Sequence, residues 1–224
     1  MPTGIFVILL TVNFLFQTSN QSYLSYTQTK QEILSIKKHL YSSQISYDSV
    51  ATIFTTSLTE KLIPHWLSTP WSFEGHTSVP RHGEIACGYF VSTTLQDMGF
   101  NLNRYKLAQQ LPINEAKTLS LRNPLIEINS HSKEERIQQL NEKLKEGIHF
   151  IGFDQSHVGY IQKKNNQLFL IHSNYINSEG VVIEHVEESI VFASYNKIYI
   201  AEISTNKELL KKWLRNEAIV VVTQ

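Results

Sequence analysis

The apolar positions of this chain follow a helical period over its first half and strand-like runs over much of the remainder. Ile33, Ile36 and Leu40 share one helical face in a Lys/Gln-rich surround. After a Ser/Gln break, Tyr47, Val50, Ala51, Phe54, Leu58 and Leu62 continue the same period, which predicts two N-terminal helices. Pro64 is expected to end the second helix or to start a turn. From Ser68 to Gly83, Pro70, Gly75, Pro80 and Gly83 punctuate an irregular loop. Behind it Phe90, Val91, Leu95 and Met98 recur at helical spacing, with Gly99 as a stop signal.

A short helix is expected near 104–110, and Pro112 and Pro124 break the stretch beyond it. Ser132 with Glu135 has the S-x-x-E form of a capping box, ahead of Ile137, Leu140 and Leu144 on one face and Gly147 as C-cap. Short β-rich runs then come at 149–153, 158–162, 167–172, 181–185 and 198–203, and Asn165-Asn166 reads as a hairpin turn. A helix over 207–215 and a strand over 218–223 close the chain. Helices first and antiparallel strands later predict an α+β fold, in which the helix that starts at Cys87 packs across the sheet.

Residues 5–16 form an apolar run broken only by Thr11 and Asn13, with small and polar residues after it. The run is too short to span a bilayer and matches the core of a secretory signal, so residues 1–22 are expected to be a signal peptide cleaved somewhere in 18–22. The mature protein is then exported, periplasmic or extracellular, with no stable membrane span. A helical segment comes next at 23–63, and the remaining domain runs from 64 to 224.

Hydrophobic residues make up 42% and charged residues 18% of the sequence, a globular balance. Lys+Arg and Asp+Glu stand at 20 each, so nothing points to a nucleic-acid partner. One cysteine makes neither an internal disulfide nor a cysteine-based zinc site, and the histidines lack a ligand spacing such as H-x-x-x-H. No metal and no cofactor is expected.

The candidate chemistry centres on Cys87, placed at the first turn of its helix. A helix N-terminus is worth ~0.3–1 kcal/mol, at most ~2, against ~1.4 kcal/mol per pKa unit, so it alone shifts a thiol by about one unit. A persistent thiolate therefore needs a neighbouring imidazolium. Of the nine histidines, His157 has the best context. It opens a strand after the turn-like Asp154-Gln155-Ser156, at a sheet end where a helix N-terminus would meet it, and Gly159 leaves room for a close-packed element. His172 ends the next strand, roughly opposite His157 if the two strands pair. It is the first candidate to orient the His157 ring, with Asn174 as its rival. His76 and His82 lie in the loop ahead of Cys87 and read as surface residues.

Taken together, these segments resemble the NlpC/P60 family of papain-like cysteine peptidases over residues 60–185. Thr69-Pro70-Trp71-Ser72-Phe73-Glu74-Gly75 is similar to the family's T-P-Y-x-[YF]-G-G approach segment, and Cys87 with its apolar helix to D-C-S-G-[FL]-V. The segment at 145–152 is similar to the P-G-D-L-V-F-F strand entry, 156–161 to H-V-G-I-Y, and 169–173 to F-I-H-A. The resemblance implies a papain-like fold with Cys87 as nucleophile, His157 as general base and His172 as the orienting residue. It places Trp71 and the start of the helix at Gly88 on the oxyanion and substrate side. It also implies an insertion at 101–131, where the spacing between cysteine and histidine exceeds the family's. The substrate implied is the peptide of bacterial cell wall (peptidoglycan), cut at an amide bond. Ala86, Gly88, Glu74 and Ile148 depart from the family's residues.

Two rival readings carry different expectations. A bacteriocin-processing branch of the papain-like peptidases shares a C-G nucleophile start, but it needs a glutamine shortly before the cysteine, and none lies between 45 and 95. A non-catalytic binding or interaction module on the same scaffold is the reading from another class, encouraged by Ala86 and Gly88.

Overall fold

The computed structural model describes residues 24–43, 45–154 and 156–223. The expected signal peptide over 1–22 lies outside them. Helix α1 (Tyr26–Ser42) opens on a capping box. The Ser25 hydroxyl accepts from the Gln28 N–H, and the Gln28 side chain accepts from the Ser25 N–H. The helical path that begins with α2 (Tyr47–Thr56) continues past Pro64, where the second helix was expected to end. The chain widens into a π turn over Ser57–Leu62 and continues as α3 (Ile63–Trp66), with Pro64 in the first turn of that piece. A proline in a first helical turn has no intrahelical N–H bond to lose, so the change of ladder just ahead of it accommodates the ring.

Helix α4 (Cys87–Asp97) follows the irregular loop and stops at Gly99, whose φ of 87° suits the left-handed stop position. Helix α5 (Arg104–Ala108) lies where a short helix was expected. Pro112 does not break the chain but opens α6 (Pro112–Ser120), for the same first-turn reason as Pro64. The sequence reading also missed β1 (Ile126–Asn129), a short edge strand. Helix α7 (Lys133–Lys143) is capped by Ser132, which accepts from the Glu135 N–H. Its C-cap is Leu144, already extended, so Gly147 serves instead to open β2 (Gly147–Phe153) at a φ of 136°.

Strands β3 (His157–Lys164) and β4 (Gln167–Asn174) are joined through Asn165 and Asn166, both left-handed at φ 54° and 59°, the turn geometry that matches strand twist. Strand β5 (Gly180–His185), helix α8 (Ile190–Ala193), strand β6 (Lys197–Glu202) and helix α9 (Lys207–Arg215) complete the order. The strand expected over 218–223 is absent. Ile219 and Val221 do point inward and Val220 outward, but the segment straps helices: Ile219 N–H donates to the Asn101 carbonyl and Val222 N–H to the Thr118 hydroxyl. Its alternation reflects packing without a partner strand.

The architecture is α+β, with a six-stranded antiparallel sheet in the order β1-β6-β2-β3-β4-β5. Strand alternation sorts its side chains onto two faces. Ile148, Phe150, Val158, Tyr160 and Ile171 join the larger core, shared with α1, α2, α4 and α9. Ile151, Phe153, Ile161, Leu170 and Ile200 join the smaller one, shared with α7 and α8.

Helix α4 is fixed along its middle and at its C-terminal end. The buried Tyr160 hydroxyl donates to the Val91 carbonyl at 3.0 Å and shares a 2.7 Å hydrogen bond with the Thr94 hydroxyl. At the far end the Trp213 indole N–H of α9 donates to the Met98 carbonyl at 2.7 Å, and Lys37 of α1 donates to the Gly99 carbonyl at 2.5 Å.

Candidate active site

The segment leading into α4 is held by backbone contacts close enough to exclude side chains. Ile85 N–H donates to the Pro70 carbonyl at 2.9 Å and Ala86 N–H to the Gly75 carbonyl at 2.8 Å. A β-carbon on Gly75 would lie 2.6 Å from the Ile85 nitrogen, so only glycine allows this crossing. The Ser173 hydroxyl of β4 then donates to the Ile85 carbonyl at 2.7 Å. That bond sets the residue beside His172 against the residue two before Cys87. Gly88 is a packing position as well: its β-carbon would stand 2.7 Å from the Ala108 carbonyl, so the glycine lets the end of α5 seat on the start of α4.

His157 and His172 meet across the β3–β4 ladder. The register pairs Tyr160 with Ile171, so His172 falls opposite Gly159 and His157 falls two residues along, diagonally. The sequence reading set them roughly opposite one another and assigned Gly159 to another element. The glycine instead clears space for His172, whose Cβ would be 2.9 Å from a β-carbon there. His157 Nε2 and His172 Nδ1 are 2.8 Å apart, with the rings edge to face.

The chain of contacts continues into β5. His172 Nε2 lies 3.1 Å from Glu184 Oε1, and the Ser189 hydroxyl, which caps α8, donates to the same oxygen at 2.5 Å. Burial, the largest single influence on Glu184, raises its pKa, but hydrogen bonds from His172 and Ser189 together with the His172 charge outweigh it. The carboxyl is held below its usual range. An ionised carboxylate only accepts, so His172 carries a proton on Nε2, and in its neutral form it accepts at Nδ1. His157 must then donate from Nε2, which leaves its Nδ1 as the basic nitrogen. Three side chains on adjacent strands thus fix one tautomer.

Alternation places His157 and His172 on the sheet face opposite α4. His157 still reaches the helix start because it is the first residue of β3, at the sheet end. There His157 and Cys87 line one cavity of about 680 Å³. Trp71, Phe73, Tyr89, Tyr175 and Tyr195 supply its aromatic surface. The Tyr175 ring lies 5.3 Å from His157 and 6.2 Å from Trp71, linking the histidine to the approach segment. The region at 101–131 contributes a wall through Gln109, Gln110, Pro112 and Glu115.

The resting charge state differs from the one expected. Cys87 is only half-buried as a residue, yet burial of its sulfur pushes the thiol up to about 11, against the lowering effect of the Val158, Gly88 and Cys87 backbone N–H groups; the Glu115 carboxyl adds to the rise. Burial, and secondarily His172, holds His157 well below the ordinary imidazole range. At neutral pH these shifts favour the uncharged thiol and imidazole over the thiolate–imidazolium pair that a neighbouring histidine would be needed to form. No hydrogen bond joins Cys87 to His157 among the described residues.

Asn174 is occupied elsewhere: its amide donates to Glu179 at 2.7 Å and its carbonyl oxygen accepts from the Ile176 N–H at 2.9 Å. His76 and His82 turn their Nδ1 atoms to the Glu74 and Pro80 carbonyls and stay off the cavity. The sequence reading missed Glu184 and Glu115. The signal for the first was an acid directly after the apolar run Val181-Val182-Ile183, within one strand-like segment. The second was hidden in a segment taken as broken by Pro112.

Compared with family models, curated proteins and solved structures, the chain matches none.

Proposed function

We propose that this protein is an exported cysteine amidase of the papain-like NlpC/P60 type that cuts an amide bond in cell-wall peptide. Cys87 is the nucleophile, His157 the general base and His172 its orienting residue. The observation that carries this reading is the Glu184–His172–His157 chain, whose last member lines the same cavity as Cys87. The order of the resembling segments and the antiparallel sheet beneath a cysteine-led helix support the papain-like assignment.

Because the thiol and imidazole are neutral at rest, attack and proton transfer occur together. His157 Nδ1 takes the thiol proton as sulfur adds to the carbonyl carbon. The imidazolium that forms is stabilised through His172 by the Glu184 carboxylate. Backbone N–H groups at Cys87 and Gly88, with the Trp71 indole, receive the oxyanion. His157 then protonates the leaving amine, and water attacks the thioester with His157 again as base.

Purified cell-wall fragments incubated with the protein and read by mass spectrometry test the reading. Wild type should release a defined amide-cleavage product that Cys87→Ser and His157→Ala do not. Absence of product from wild type would remove this substrate.

One observation favours a second reading, a binding module without catalysis: the elevated thiol without a hydrogen bond to His157. An activated ester separates the two. The enzyme reading expects an acyl adduct on Cys87 in intact-mass measurements, lost in His157→Ala. The binding module expects none.

A further inference from the structure

Among the described residues, Glu115 has no cationic partner. It is 1% exposed, sits in α6 and lines the cavity, and its Oε2 makes no hydrogen bond among the described residues. A buried carboxyl left unsatisfied costs stability, so its retention in the wall of a cavity calls for a function. The surroundings indicate its nature. The lining holds a second acid, Glu74, at the exposed rim, and neither lysine nor arginine. Arg104 is outside the lining and already engaged: its guanidinium stands 5.5 Å from the ring of Tyr89, whose side chain it occupies, and 4.8 Å from the Tyr105 ring, and it donates to the His76 carbonyl. The rings of Trp71, Phe73 and Tyr175 in the lining add negative quadrupole potential, while Tyr89 is already engaged by Arg104. An acid at the entrance, an unpartnered acid inside and aromatic walls between them form a surface complementary to positive charge.

We infer that the cavity contains a cation subsite, in which Glu115 and the aromatic wall receive an ammonium or guanidinium group of the substrate next to the bond that Cys87 attacks. The inference rests on the proposed role of Cys87 as the reactive centre. Burial raises the Glu115 carboxyl well above the ordinary carboxylate range, and an arriving cation favours its ionised form and supplies the partner the side chain lacks. Substrates acetylated at this amine are expected to bind poorly.

The chain has one cysteine, so thiol-specific reagents report on this cavity alone. Three methanethiosulfonates of similar size suit the test: 2-ammonioethyl, ethyl and 2-sulfonatoethyl. In each the Cys87 thiolate attacks the sulfenyl sulfur, a disulfide forms, methanesulfinate leaves and the thiol proton passes to solvent. Rates are divided by those of a short unstructured peptide with one cysteine, at pH 8. Wild type should favour the cationic over the neutral reagent by about tenfold and disfavour the anionic one. Glu115→Gln should abolish the preference, and so should Glu115→Leu, which removes the orphan oxygen. Equal ratios in wild type and both variants, with brisk labelling, would overturn the cation subsite and leave the amidase reading standing. Failure of all three reagents to label the folded protein, while the unfolded chain labels fully, would overturn both together.

Discussion

Gly159 stands across the ladder from His172 with no room for a methyl group between them, a β-carbon there coming within 2.9 Å of the His172 Cβ. Gly159→Ala is therefore expected to push the His172 ring off His157 and to cost about 1–3 kcal/mol of stability through overpacking. Urea denaturation gives the stability change. Activity on the same protein should fall further than the lost folded fraction explains. An alanine variant with wild-type stability and turnover would show that the two strands part easily here.

Glu184→Gln keeps the shape of the side chain but replaces an obligate acceptor with a group that also donates. His172 then has no enforced tautomer, and the charge that steadies the imidazolium is gone. Turnover should drop by about 10–100-fold with KM little changed. The nitrogen chemical shifts of His157 and His172 should change with it. Unaltered shifts together with unaltered turnover would separate Glu184 from the site.

His157 gives a stability signature independent of any substrate. Its folded pKa is depressed, mainly by burial, whereas in the unfolded chain it titrates near ~6.5. Below that value the unfolded state binds a proton that the folded state refuses. The stability this group contributes is thus fully present above the unfolded pKa and is lost as pH falls toward the folded one. Unfolding free energies taken from pH 7.5 to pH 5 should decline more steeply for wild type than for His157→Gln. Parallel curves would mean that the imidazole is hydrated in the folded protein.

The thiol predicts a second pH profile. With Cys87 pushed up to about 11, its thiolate fraction at neutral pH is far below that of a free cysteine near ~8.5. Alkylation by iodoacetamide should be slower than for an unstructured peptide at pH 7 and still rising at pH 9. A rate that levels off below pH 7 would reveal the thiolate–imidazolium pair that the resting geometry lacks.

Which parts of this site were legible in the sequence depends on how local their causes are. The Asn165-Asn166 turn, readable from two adjacent residues, paired the strands of His157 and His172. Their diagonal offset was not readable, because register depends on packing along the whole ladder. Glu184 joins from a third strand, reached through an irregular link that fixes its alignment only in three dimensions. Pro64 and Pro112 misled in the same way: a proline breaks a helix interior but is tolerated in a first turn, and composition does not say which position it holds. The segment at 218–223 alternates like a strand because a strap over a core also buries every second residue.

The Trp213 indole on the Met98 carbonyl and the Lys37 ammonium on the Gly99 carbonyl close the rear of α4 from both sides of the sequence. A fragment cut between α4 and α9 therefore keeps the helix that begins at Cys87 but loses one of its two rear anchors, so the thiol-bearing helix and α9 are expected to part together in limited proteolysis.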